Sequence, residues 1–127
     1  MLPLVSIITP TTADRAPFLE RLQPLINAQT YPNAEWLIDA DGGLIGEKRN
    51  RLCNLAKGEV ILHMDSDDIF HPEWIEASVR HLLDSKADLT GLNRAYFSSN
   101  ERAWLYEYVG SQPYVMGGTM CYKKEVW

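Results

Sequence analysis

The five residues Val60-Ile61-Leu62-His63-Met64 constrain the fold more than any others in the chain. They are almost continuously apolar, and Asp65-Ser66-Asp67-Asp68 follows them without a break. A strand covered on one face alternates apolar with polar residues, whereas a strand covered on both faces is apolar throughout. The run therefore reads as a central strand with helices on both sides of its sheet. Its acidic end puts carboxylates at the C-terminal tip, which is where open α/β sheets bind their ligands.

The remaining segments supply the rest of such a sheet. Leu4 to Ile8 is a short apolar strand closed by a turn at Pro10, and Trp36-Leu37-Ile38 is a second strand ending in Asp39-Ala40-Asp41-Gly42-Gly43. Phe18, Leu19, Leu22, Leu25 and Ile26 recur at helical spacing and predict a helix over 17–29. Asp14 is its expected cap, and Pro24 is expected to kink it or split it in two. A helix over 46–57 is expected to stop at Gly58. Another starts at about Pro72, with Trp74, Ile75, Val79, Leu82 and Leu83 at helical spacing. Residues 87–97 and 103–109 read as further strands, and 114–122, with its Gly117-Gly118 pair, holds one last short strand. Strands alternating with helices define the α/β class with a mainly parallel sheet. With 127 residues, the chain has room for one domain spanning 1–127.

Charge and cysteine usage narrow the partners. The formal net charge is -5, so non-specific nucleic-acid binding has no electrostatic support. Cys53 and Cys121 lie far apart, outside any zinc-ligand spacing, and are expected to be reduced and buried. The N-terminus has no basic region before its short apolar run, so no signal peptide is expected. No apolar run approaches the roughly 20 residues that span a bilayer. A cytoplasmic location is expected, with peripheral membrane association left open.

Three carboxylates within four residues repel one another unless a cation lies among them. A turn puts Asp65 and Asp67 on one side, where they can share one hard divalent cation. Magnesium typically takes one or two protein carboxylates and completes its shell with water and substrate phosphates. For Asp68 and Glu73 the plainer reading is an acidic turn in solvent, with Asp68 capping the helix that follows. An EF-hand is excluded because Ile69 and Phe70 stand where that loop needs an oxygen ligand and a glycine. An aspartyl-phosphate phosphatase also carries Asp-x-Asp after an apolar strand and is the rival enzyme reading.

The preceding helix supplies a cation. Arg49 lies three, four and seven residues before Leu52, Cys53 and Ala56, so it shares their face and continues a buried stripe. A guanidinium there needs an anion, either a bound phosphate or an acidic strand end. Lys48 and Arg51 lie on other faces and are expected in solvent. Gly42-Gly43-Leu44-Ile45-Gly46 can let backbone N–H groups approach a ligand at the helix start.

With these residues in place, the chain resembles the family 2 glycosyltransferases of the GT-A fold. Val5-Ser6-Ile7-Ile8-Thr9-Pro10-Thr11 is similar to the family's opening strand, and Gln29-Thr30-Tyr31-Pro32 to its Gln-Thr-Tyr-Pro turn. Asp41-Gly42 falls where its Asp-Asp-Gly-Ser motif ends. Lys48-Arg49-Asn50 and Ala56-Lys57-Gly58-Glu59 resemble its next segment, and Asp65-Ser66-Asp67-Asp68 its Asp-x-Asp motif. The likeness runs from about residue 4 to residue 80. Beyond residue 85 only Gly117-Gly118-Thr119-Met120 and Lys123-Lys124-Glu125-Val126 are similar.

The resemblance implies a compact, Rossmann-like α/β/α domain that binds a nucleotide-diphosphate sugar with Mn²⁺ or Mg²⁺. It implies transfer of the sugar, with inversion, to the hydroxyl of a saccharide or other acceptor. Pro10 and Thr11 would line the base pocket, Asp41 would hydrogen-bond the base, and Arg49 would approach the base or diphosphate. Asp65 would lie near the ribose and the metal, and Asp67 would be the principal metal ligand. The pattern departs from the family in two places. Only 24 positions separate Asp41 from Asp65, so the sheet is expected to lack one strand between Asp41 and Arg49. Most of the acceptor-binding half is expected to be missing, and no residue is identifiable as the catalytic base. A non-catalytic nucleotide-sugar-binding module is the alternative.

Overall fold

The computed structural model describes residues 2–127. Its main sheet contains β1 (Val5–Pro10), β2 (Ala34–Asp39), β3 (Val60–His63), β4 (Leu89–Thr90) and β7 (Cys121–Lys123), in the order β2-β1-β3-β7-β4. β1 pairs in parallel with both β2 and β3. β7 is antiparallel to both β3 and β4, so four strands share one direction and β7 opposes them. A separate hairpin joins β5 (Arg94–Ser98) to β6 (Ala103–Glu107), with Phe97 stacked on Trp104.

Three helices complete an α/β/α sandwich. Leu22 of α1 (Ala16–Asn27) and Ile75, Val79 and Leu82 of α3 (Trp74–Ser85) pack with Val5, Ile7, Leu62 and Met64 on one face. Leu52 and Cys53 of α2 (Ile45–Leu55) pack with Ile8, Ile61 and Tyr122 on the other. Burial of β3 on both faces follows from its unbroken apolar run, and all four of its residues are buried. Cys53 and Cys121 are free and buried, as expected. Among the described residues, no helix is long and apolar enough to cross a membrane.

Several local expectations are corrected. α1 is not split in two at Pro24, but continues three residues beyond it to Asn27. Asp14 does not cap it; the cap position is Arg15, and Asp14 sits in the preceding 3-10 turn, Ala13–Arg15. The start of α3 is capped from afar instead, since Gln29 Oε1 accepts the Ile75 N–H at 3.0 Å. Thr30 Oγ1 donates to Glu76 at 2.8 Å and Tyr31 Oη to the Pro3 carbonyl at 2.6 Å, so the Gln-Thr-Tyr-Pro turn works as a bolt between elements. The segment 87–97 is not one strand. It breaks after Thr90 because Gly91 lies against Val115 and the Leu92 N–H turns to Thr119 Oγ1 at 2.9 Å.

The connection from β2 to α2 is short and β2 is the edge strand, in line with the expected lost strand. Glu47 Oε2 accepts the Leu44 N–H at 2.7 Å and starts α2. Gly43, at φ 112°, turns the chain into it, a conformation that favours glycine.

Candidate functional site at the strand ends

The chain leaves β1 for one side of the sheet and returns across it to β3, with α1 and α2 on opposite faces. Such a reversal opens a crevice at the C-terminal ends of the two strands. Here those ends are Pro10-Thr11 and Asp65-Ser66. Thr9 Oγ1 donates to the Met64 carbonyl at 2.6 Å, and Thr11 Oγ1 donates to Ser66 Oγ at 3.3 Å, so the floor is cross-braced.

Arg49 comes to this floor from α2, as its position on the buried stripe predicts. Its NH2 stands 3.3 Å from Asp65 Oδ1, with both side chains about a quarter exposed. Its Nε is buried and has no hydrogen-bond partner among the described residues. From the opposite side, the turn Gly117–Thr119 closes on Asp65. A Cβ at Gly118 would stand 2.8 Å from Asp65 Oδ2 and 3.5 Å from Asp68 Oδ2, so a side chain there would push the Asp65 carboxylate aside.

A buried chain of hydrogen bonds holds that turn in place. His63 Nδ1 lies 2.7 Å from the Gly117 carbonyl, which can only accept, so Nδ1 carries the proton. Nε2 then accepts from Tyr122 Oη at 3.1 Å, and Cys53 Sγ meets the same hydroxyl at 3.3 Å. Burial lowers the His63 pKa to about 4 and keeps the ring neutral. Sequence reasoning passed over His63 because it looked like one more member of an apolar run.

The acidic cluster divides. Asp65 faces Arg49 and Gly118, whereas Asp67 pairs with Arg15 at 3.3 Å on the exposed rim, and Ser66 is buried between them. Asp68 does not cap α3, which begins several residues later behind Glu73. Its carboxyl is pushed up to about 6, first by desolvation and then by the charges of Asp67 and Asp65. Among the described residues, no three His, Cys, Asp or Glu side chains form a ready-made metal cage. The donor set nevertheless fits a hard divalent cation, with hard oxygens, excess negative charge and one or two carboxylates, provided that phosphate oxygens complete the shell.

Two basic residues expected in solvent are engaged. Arg51 grips Asp39 through Nε at 2.7 Å and NH2 at 3.1 Å and also donates to the Gly42 carbonyl. Asp39 Oδ1 accepts the Asp41 N–H as well, so Asp39 organises the loop that carries Asp41. Lys48 is buried, with Nζ donating to the Thr11 carbonyl at 2.6 Å. Its long stem lets the ammonium reach from α2 to the end of β1.

A sequence model described as Glycosyl transferase family 2 matches residues 41–124, about two thirds of the chain.

The chain belongs to glycosyl transferase family 2.

Residues 4–40, the first part of the resemblance, lie outside that match, yet solved structures cover nearly the whole chain. A mannosyltransferase from Pyrobaculum calidifontis, in complex with GDP-Man and Mn²⁺, superposes with a TM-score of 0.69 at 16% identity. It covers 99% of this chain and 46% of its own. S. aureus TarS in complex with UDP-GlcNAc superposes with a TM-score of 0.66 at 16% identity, covering 97% of this chain and 46% of its own. The GT-A glycosyltransferase fold is thereby established, and the chain spans about half the length of these structures. A search of curated proteins finds no match.

Within this family 2 domain, the Asp39–Arg51 pair makes a pH prediction. Hydrogen bonds from Arg51 hold the Asp39 carboxyl below its ordinary 3.8, and the Asp41 N–H adds to this. A carboxyl with a depressed folded pKa stabilises fully above its unfolded value, and that contribution drains away as pH falls toward the folded value. Asp39→Asn should lower the melting temperature at pH 7 and flatten its decline below about pH 4. Thermal melts at pH 7 and pH 3 check this, and parallel losses in both proteins would refute it.

Proposed function

We propose that the chain binds a nucleotide-diphosphate sugar in the β1–β3 crevice and presents it for inverting transfer to the hydroxyl of a saccharide or other acceptor. Residues 1–127 form one donor-binding unit. The observation that carries the reading is the meeting of Thr11, Arg49, Asp65 and Gly118 at one reversal point of the sheet. Pro10, Thr11 and Asp41 are assigned to the base, and Arg49 to the diphosphate. Asp65 and Asp67 are assigned to Mn²⁺ or Mg²⁺. The GDP-Man and Mn²⁺ bound to the archaeal mannosyltransferase and the UDP-GlcNAc bound to TarS support this donor class.

The cation, when bound, supplies Lewis-acid stabilisation of the charge developing on the departing phosphate oxygen. The chain's own residues bind and orient. Arg49 balances the charge of Asp65 until a diphosphate brings its own anion, and the buried Nε gives it a donor to spare. The His63 clamp holds Gly117 and keeps the opposite wall close to Asp65.

Titration calorimetry with nucleoside diphosphates tests the reading. Binding should tighten at least tenfold when Mn²⁺ is added, and Asp67→Ala should remove most of that gain. Binding that ignores both the metal and the Asp67→Ala substitution would overturn it. Release of sugar to water or an added acceptor then separates an active transferase from a binding module.

A further inference from the structure

Lys48 is the most heavily buried cation near the crevice, only 5% exposed, yet its ammonium makes one hydrogen bond among the described residues, to the Thr11 carbonyl. An ammonium has three N–H donors, and a buried charge is costly unless its donors are used. The acidic groups around it do not supply the missing partners. Both oxygens of Asp39 are occupied by Arg51 and the Asp41 N–H, and Asp14 lies in the exposed 3-10 turn before α1. Both of these carboxylates feel the Lys48 charge without bonding to it.

The position of the ammonium is informative. The Thr11 N–H donates to the Asp39 carbonyl at 2.9 Å, so the Thr11 peptide spans the ends of β1 and β2, on the far side of β1 from Asp65 and Arg49. Asp41 leaves the end of β2 with an exposed carboxylate that accepts no hydrogen bond among the described residues. The ends of β1 and β2 thus carry a cationic donor with N–H groups to spare and, on the loop that follows β2, a carboxylate with free lone pairs.

We propose that Lys48 is a specificity-determining residue that donates to the exocyclic carbonyl oxygen of the donor's base, with Asp41 accepting from the adjacent ring N–H. The inference rests on the nucleotide-sugar reading above and names the class of base. Uracil presents a carbonyl beside a ring N–H, and so does guanine. Adenine and cytosine present an amino group beside a bare ring nitrogen, so both contacts would set donor against donor and acceptor against acceptor. A site that hydrogen-bonds a ligand group rejects the analogue lacking it, because its own polar groups are left unpaired.

The test is calorimetry of UDP, GDP, ADP and CDP with Mn²⁺ on the wild-type chain, Lys48→Met and Lys48→Arg. The wild type should favour UDP or GDP over both ADP and CDP by roughly 10- to 100-fold. Lys48→Met keeps the stem and removes the donors, so the favoured nucleotide should weaken by a similar factor while ADP and CDP change little. Lys48→Arg, which keeps donors, should retain the ranking. Equal weakening of all four nucleotides in Lys48→Met would show a structural prop and overturn the inference. A wild-type preference for ADP or CDP would overturn it without any variant. Binding of none of the four to the wild type would overturn the donor-binding reading itself, and this inference with it.

Discussion

Asp65→Ala is expected to abolish the metal-dependent part of nucleoside diphosphate binding, a loss of about 100-fold or more with Mn²⁺ present. Removing a mere supporter of a metal ligand commonly costs 10- to 100-fold, and Asp65 is assigned to the ligand set itself. Asp65 also restrains Arg49 at 3.3 Å. Without it, a partly buried guanidinium faces the crevice with no carboxylate, at a stability cost of about 1 kcal/mol for a pair this exposed. That unpaired cation should strengthen metal-free binding of the diphosphate. Asp65→Ala therefore separates two contributions that a simple loss would blur, with weaker binding in Mn²⁺ and tighter binding in a chelator. Calorimetry in both buffers reads this directly, and wild-type affinity in Mn²⁺ would remove Asp65 from the site.

Much of this site is legible in the sequence because it depends on local patterns. The apolar run from Val60 to Met64 announces a strand buried on both faces, and the strand tip then fixes where Asp65 stands. Arg49 is legible because helical spacing places it on the face of Leu52 and Cys53, and that face is the one packed on the sheet. Lys48 is missed by the same rule. Its Cβ lies off the stripe, and only the reach of its stem brings the ammonium to Thr11, 37 residues earlier. The break at Gly91 is missed because its cause, Val115 and Thr119, is distant in sequence. β7 is a three-residue strand that takes its identity from pairing with β3 and β4.

Gly58 does not stop the helix as expected, and it carries the largest stability prediction for another reason. Its place after an amphipathic helix reads as a stop signal, but α2 already ends at Ala56, whose backbone is extended, with ψ 133°. The demand for glycine comes from β1. A Cβ at position 58 would stand 2.6 Å from the Leu4 carbonyl oxygen, 2.6 Å from the Ser6 nitrogen and 2.7 Å from Ser6 Oγ. Two of those atoms are backbone: Ser6 N belongs to β1, which is paired on both sides, and the Leu4 carbonyl, just before β1, accepts the Val60 N–H at 3.3 Å, so neither can swing away as a flexible side chain could. The Gly58 N–H also donates to Ser6 Oγ at 2.8 Å, and that hydroxyl donates to Glu35, which accepts the Lys57 N–H in turn. Gly58→Ala must push the turn off β1 and strain this network. Overpacking of this kind typically costs 1–3 kcal/mol, and the upper end applies where backbone must move. For a domain of this size, a loss of about 3 kcal/mol lowers the melting temperature by roughly 10 °C. Adding Ser6→Ala removes only the side-chain atom from the clash, so the double variant should stay destabilised. Recovery of wild-type melting in the double variant would show that the backbone approach is not what requires glycine.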